Sequence, residues 1–477
     1  MLRVVVCAIV VLLIAPSAHA AAPAMDDAAV RIPTAGQVVD LLLLRQYNTR
    51  VVIIGTTLLG LAAGTIGAFM LLRKRALLGD ALSHATLPGI GFAFIFSVAA
   101  GQSGKALPVL LLGAVVTGVL GVLAVLGIRQ FTRLKEDAAL GIVLSVFFGA
   151  GVAVLGVIQK MGTGSAAGLE GFIYGKTASM LSSDAWMIGI AASGIALACA
   201  LLFKEFTLLC FDADYARSEG WPIFALDLIM MTLVLAVTVI GLPAVGLILI
   251  IALLIIPAAA ARFWTDRLVR MVIIAALIGA ASGWIGAALS ALLPKLPAGA
   301  IIVVVASAMF LLSMFFGTAR GVVPRWVQHL RLSRTVARQH LLRAFFEWAE
   351  GTGKDPRRDG ASLEELLLER AWTAAELKRV LNRAEGDDLI YQVADGTWRL
   401  TEPGWADATR TARNHRLWEA YLINYADIAP SHVDRDADQI EHVLGRGMVA
   451  KLESLIAEKA PAVEVPPSPH VIGSRET

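Results

Sequence analysis

An aspartate and a histidine four residues apart, Asp80 and His84, stand in an otherwise apolar stretch, Leu78-Gly79-Asp80-Ala81-Leu82-Ser83-His84-Ala85-Thr86-Leu87-Pro88-Gly89. On a helix this spacing puts both side chains on one face. A carboxylate with an imidazole is a donor pair for Mn, Fe or Zn, and is too rich in nitrogen for a dedicated Ca or Mg cage. Ionisable groups are costly inside a membrane and mark pathways there. On spacing alone, the two could equally be a mutually satisfied contact that holds helices together.

A second group of donors lies near the C-terminus. His415 and Glu419 share the i, i+4 spacing in Asn414-His415-Arg416-Leu417-Trp418-Glu419. Downstream, Asp434, Asp438, Glu441 and His442 fall along one helical face, with His432 just ahead of them. Carboxylates and imidazoles without cysteine favour Mn or Fe(II) over a structural zinc; a charged, solvated helix would show the same pattern. The three cysteines, Cys7, Cys199 and Cys210, make no CxxC pair and read as small apolar filler.

These two groups lie in different surroundings. The chain is 57% hydrophobic and only 17% charged, too apolar for an ordinary soluble protein. The apolar residues crowd between Val51 and Phe316, and composition turns soluble-like at Gly317–Arg320. Spans need about 20 apolar residues, and about nine segments qualify. They are Val51–Leu72, Leu78–Val98, Pro108–Leu126, Ala138–Ile158, Trp186–Phe203, Ile223–Ile240, Val245–Ala261, Met271–Leu292 and Ile301–Phe316. Glycines such as Gly60, Gly64 and Gly67, or Gly279, Gly283 and Gly286, let helices pack closely in lipid. The fold class expected is an all-α polytopic membrane protein with a C-terminal winged-helix plus helical α(+β) domain.

Alternate loops differ in charge. Arg73-Lys74-Arg75, then Arg129, Arg133 and Lys135, then Lys204 and Arg217, then Arg262, Arg267 and Arg270 fall on one side, which the positive-inside rule makes cytoplasmic. The N-terminus is then outside and the C-terminal domain inside. Arg3, the apolar run Val4–Ala15 and the small-x-small site Ala18-His19-Ala20 read as a signal peptide over residues 1–20. Residues 21–48 follow as an external segment, with an interfacial helix around Val38 to Leu44.

The stretch Arg73–Gly91, with its LLGDALSHATLPG core, resembles the zinc/manganese-type metal permeases of ABC importers, the ABC-3 family. The likeness continues through Leu169–Ser179, Phe211–Gly220 and Val245–Arg262 and covers roughly residues 37–316. It implies a permease domain over 49–317, with Asp80 and His84 lining the metal path. It also implies a separate ABC ATPase subunit, a separate extracytoplasmic metal-binding protein, and a homodimer or pseudo-symmetric dimer in a bacterial inner membrane. The cytoplasmic loop carrying Asp212, Asp214, Arg217 and Glu219 would be the amphipathic helix that docks in the ATPase. Gly171–Thr177 reads GFIYGKT, one residue short of a phosphate loop and on the external side, so no bound nucleotide is expected in this chain.

Beyond the membrane part, Ser362–Leu368, a turn and Thr373–Ala384 read as helix-turn-helix, with Thr373 and Glu376 as a capping box. Ala394-Asp395-Gly396 between two short apolar runs signals a hairpin, so the whole reads as a winged helix. Lys378, Arg379 and Arg383 form its possible nucleic-acid face, although nucleic acid is not expected as a partner of a domain tethered beneath a membrane. Residues from His340 to about Ile456 resemble the manganese-responsive members of the diphtheria-toxin-repressor family. The resemblance implies metal ligands at His415, Asp438, Glu441 and His442. Those regulators take acidic ligands from their first helix, where this chain has Gln339-His340-Leu341-Leu342-Arg343. The cytoplasmic domain is placed at 318–460 and a disordered tail at 461–477.

The function expected is the permease subunit of an ATP-driven importer for a divalent transition metal, manganese first and zinc or iron(II) next, itself not an enzyme. Its cytoplasmic domain senses metal and slows transport when occupied. The alternative is a membrane-tethered metal-responsive transcription regulator.

Overall fold

A computed structural model describes residues 35–101, 106–161, 175–293, 296–370, 372–425 and 452. The chain divides into two compact units between Arg325 and Trp326. The proposed signal peptide and the tail lie outside the described residues.

The first unit is helical throughout its described residues. A short helix α1 (Ala35–Leu42) precedes α2 (Tyr47–Leu72), α3 (Leu78–Ala99), α4 (Leu107–Phe131) and α5 (Glu136–Lys160). Then come a 3₁₀ turn at Thr177–Ser179, α6 (Ser182–Leu201), α7 (Phe203–Phe211), α8 (Ala213–Ser218), α9 (Ile223–Val245), α10 (Leu247–Ala261), α11 (Leu268–Leu292) and α12 (Ala298–Phe316). Among the described residues, eight helices are long and apolar enough to cross a membrane. The expected ninth, α10, has 15 residues and so reaches only about 22 Å. It starts after Gly246, whose φ of 82° breaks the run from α9.

The most extensive pairing joins α2 to α11, and its cause is the glycine pattern. A Cβ on Gly279 would come within 2.1 Å of the Gly60 carbonyl oxygen, and one on Gly60 would meet Gly279 in return. Gly283 stands against Thr56 and Gly64 against Ala275 in the same way. The Thr56 hydroxyl lies 3.2 Å from the Gly283 carbonyl oxygen, a polar contact that small residues permit. Gly279→Leu is therefore expected to cost at least the overpacking penalty of about 1–3 kcal/mol. The check is the unfolding temperature of the purified chain in detergent beside Leu277→Met, at an exposed position two residues earlier.

The second unit begins within α13 (Val322–Thr352) and continues through α14 (Leu363–Glu369), α15 (Ala374–Gly386), strands β1 (Ile390–Gln392) and β2 (Trp398–Leu400), and α16 (Glu402–Tyr425). Its core gathers Leu341, Phe345 and Trp348 of α13 with Leu366, Leu377, Leu381, Ile390, Trp398 and Leu400. Ser362 with Glu365 and Thr373 with Glu376 form reciprocal capping boxes at the starts of α14 and α15. Accepting the backbone N–H of its cap residue holds each glutamate below the ordinary carboxylate range. The strands pair antiparallel, Ile390 opposite Leu400, and Gly396 takes φ 82° in the turn between them. This is the winged helix read from the sequence.

Candidate metal pathway and the groups around it

Asp80 lies in the first turn of α3 and His84 in the next. The His84 Nε2 is 3.3 Å from the Asp80 Oδ1, so the i, i+4 pair is formed. Their side chains are 32% and 19% exposed, on a helix whose neighbours Ala81, Leu82, Ser83 and Ala85 are completely buried. Phe92 and Phe96, further along α3, are exposed as well, while Pro88 between them and His84 is buried. The pair therefore opens outward from a single chain and is not sealed in its core. The ring of His84 stands edge-on to Phe148 of α5, centroids 4.8 Å apart, which fixes its plane. Its Nδ1 is buried and makes no hydrogen bond.

Local sequence shapes this stretch. Pro88 lies inside α3 and has no N–H to give, so the His84 carbonyl loses its normal helical partner. The next residue, Gly89, lets α3 meet α4 backbone to backbone, since a Cβ there would be 2.0 Å from the Gly113 carbonyl oxygen. Among the described residues no three His, Cys, Asp or Glu side chains converge on one point. One chain thus offers a metal two side-chain donors here. Neither of the two described cysteines adds a third: Cys199 is buried, and burial pushes the Cys210 thiol up to about 11.

Below this pair, toward the start of α3, is a charge cluster that sequence reasoning missed. Arg75, with no exposed surface, grips Asp227 of α9 with both guanidinium nitrogens, at 3.0 and 2.9 Å. Arg129 at the end of α4 donates to the same carboxylate at 3.0 Å, and Arg73 approaches it at 3.5 Å. Glu136, the first residue of α5, pairs with Arg75 and lies 3.5 Å from Arg129. Arg73 also donates to the Leu209 carbonyl of α7, at 3.0 Å. Four helices, α4, α5, α7 and α9, are tied at one end to the connection between α2 and α3 by these contacts. Read from sequence, Arg73, Arg75 and Arg129 are loop charges. The missed signal was Asp227, the one ionisable residue of its span, to which the rule applied to Asp80 applies equally.

The loop after α7 does form a short helix, α8. Asp212 caps it by accepting the Tyr215 N–H at 2.9 Å, and Ala216 is its one buried residue. Asp214 pairs with Arg217 at 3.3 Å, and Asp212, Asp214, Arg217 and Glu219 all face solvent, as do Phe211, Tyr215 and Trp221.

In the second unit, His415 and Glu419 are brought together, Nε2 to Oε1 at 3.2 Å, with side chains 4% and 1% exposed. Arg343 of α13 donates to His415 Nδ1 at 2.6 Å and forms an ion pair with Glu347, 2.8 Å from its Nε. His340, one turn before it, meets Arg370. His432, Asp434, Asp438, Glu441 and His442 lie outside the described residues. Lys378, Arg379 and Arg383 are exposed on α15, opposite buried Leu377, Leu381 and Ala384.

Comparison with known proteins agrees with this two-part reading. Residues 46–317 match the ABC 3 transport family, and residues 401–461 match the iron dependent repressor, metal binding and dimerisation domain. The chain is 38% identical over 393 residues to the manganese transport system membrane protein MntC of Bacillus subtilis (strain 168), across 82% of this chain and 88% of that one. It is also 38% identical over 291 residues to the zinc transport system membrane protein TroC of Treponema pallidum (strain Nichols), across 61% of this chain and 96% of that one. The first alignment is longer than the 325 residues of the first unit, so it extends into the second. A solved structure described as PsaBC from Streptococcus pneumoniae in complex with Fab superposes with a TM-score of 0.51 at 28% identity, over 62% of this chain and 99% of its own. Matched over more than half its length, and aligned with a relative across most of both chains, this multi-pass permease with a repressor-like C-terminal unit belongs to the ABC 3 transport family.

Proposed function

We propose that the chain imports a divalent transition metal, manganese first, along a path lined by Asp80 and His84. The observation that carries this is the outward-facing Asp–His pair with a buried, unbonded His84 Nδ1. Two side-chain donors are too few for Mn, Fe or Zn, which take four to six ligands. A second permease chain related by two-fold symmetry would present the same pair across the axis and complete the set. A homodimer does this most simply, and a pseudo-symmetric partner with the same two residues serves equally.

Manganese is preferred to zinc because the donors are carboxylate and imidazole and no thiolate stands near. MntC is named for manganese and TroC for zinc, so relatives of both kinds share this scaffold. The work of transport comes from a separate ATPase chain that receives α8, with Tyr215 and Trp221 as apolar contacts and Asp212, Asp214, Arg217 and Glu219 as the charged rim. An external binding protein delivers the metal on the opposite side. On the positive-inside rule we take the Arg73–Arg75 end and the second unit as cytoplasmic, beneath the inner membrane of a bacterium. There the second unit senses the incoming metal through His415 and Glu419, with His432, Asp434, Asp438, Glu441 and His442, and slows transport.

The test is reconstitution of the chain with its ATPase in proteoliposomes. ATP-dependent Mn²⁺ uptake is expected, and the double charge reversal Asp214→Lys/Glu219→Lys is expected to cut it about tenfold or more by placing like charge at the docking rim. Metal uptake that needs a proton gradient and no ATPase would refute the assignment.

A further inference from the structure

Arg343 stands where a cation is wanted. It is 4% exposed, and its Nη1 points at the Nδ1 of His415, 2.6 Å away, while its Nε holds Glu347. A guanidinium is always charged and can only donate. His415 must therefore accept at Nδ1, which leaves its proton on Nε2, facing Glu419 at 3.2 Å. The three groups form a line of cation, neutral imidazole and carboxylate between α13 and α16, nearly sealed from water.

This arrangement excludes a metal at His415 through either nitrogen. Coordination through Nδ1 would need the place that Nη1 occupies. Coordination through Nε2 would move the ring proton to Nδ1, where it would face the guanidinium N–H, donor against donor. In both cases a divalent ion would also lie beside a fixed positive charge in a buried site, where repulsion is weakly screened. Arg343 and a metal at His415 cannot coexist in this packing.

We propose that Arg343 is a tethered cation that competes with a divalent metal for His415 and Glu419, and so sets the metal concentration at which the second unit responds. The inference rests on the metal-sensing reading of that unit. At low metal the guanidinium holds His415, and the helices stay packed. At high metal the ion expels the guanidinium, and the contact that ties α13 to α16 through His415 is lost.

The experiment is Mn²⁺ binding to the full chain in detergent, in an Asp80→Ala/His84→Ala background that removes the membrane pair. Arg343→Met keeps the length of the side chain and deletes its charge. It is expected to tighten His415-dependent Mn²⁺ binding about tenfold or more. Without metal the Arg343→Met chain should also unfold at lower temperature, and Mn²⁺ should restore it, because the metal replaces the charge that the guanidinium brought to His415. Adding His415→Ala should abolish both effects. Arg343→Lys, which keeps a charge but loses the planar fork, should give a smaller gain in affinity, and it carries the test should the Met variant fail to fold. Equal affinity in the wild-type and variant proteins, with binding still lost in His415→Ala, would overturn the competition and leave the metal site standing. An absence of His415-dependent Mn²⁺ binding in every protein would overturn both.

Discussion

Alanine at both Asp80 and His84 is expected to abolish Mn²⁺ accumulation in cells that depend on this importer while leaving the amount of folded protein unchanged. The second half of that expectation follows from their placement. Both side chains are partly exposed in a single chain, so their loss opens no cavity of the kind a core residue leaves. The first half follows from the ligand count. Loss of a group that merely supports a metal ligand typically costs about 10–100-fold in affinity, and removing the ligands themselves should cost more. Asp80→Asn keeps an oxygen donor and loses the charge, so it should retain a residue of uptake that Asp80→Ala does not. Measured by manganese content at matched membrane expression, undiminished accumulation in the double variant would make the pair a helix contact and nothing more.

The second large effect is on assembly. Asp227→Ala leaves Arg75 and Arg129 with Glu136 as the remaining carboxylate among their described contacts, and takes from Arg73 the carboxylate it approaches. Breaking a buried ion pair by removing one partner costs about 3–5 kcal/mol, because the other charge stays buried without compensation. Arg75 has no exposed surface through which water could reach it. The variant should appear as a lowered unfolding temperature in detergent and a sharp fall in monodisperse protein. Asp227→Glu should recover part of the loss, since a carboxylate one methylene longer still reaches the guanidinium fork. A variant as stable as wild type would mean that the arginines have other partners at this end of the helices.

Much of the fold could be read from residue type and spacing because lipid imposes one strong rule. A span must be long, apolar and helical, and the nine segments read from the sequence correspond to the eight long helices and the short α10. The wing and both capping boxes were legible for a different reason. Thr373 with Glu376, and Gly396 in the hairpin turn, act within a few residues of themselves, and local chemistry needs no knowledge of tertiary contacts. The Asp80–His84 contact belongs to the same class. What stayed hidden depends on distant partners. Arg75 and Asp227 are 152 residues apart, and Arg343 and His415 are 72 apart. A departure in the first regulator helix was visible as the stretch Gln339–Arg343, which holds no acid. That the same guanidinium would turn inward onto the histidine could not be read from spacing.

The glycine seam between α2 and α11 bears on motion. At Gly60 and Gly279 backbone faces backbone with no room for a methyl group, whereas Leu59, Leu61, Ile278 and Ala280 flank the seam on either side. Rotating or sliding either helix by one residue would drive a larger side chain into that gap. The two helices consequently travel as one rod, and a transport stroke that passes through this part of the bundle must carry the pair bodily, without shear between its members.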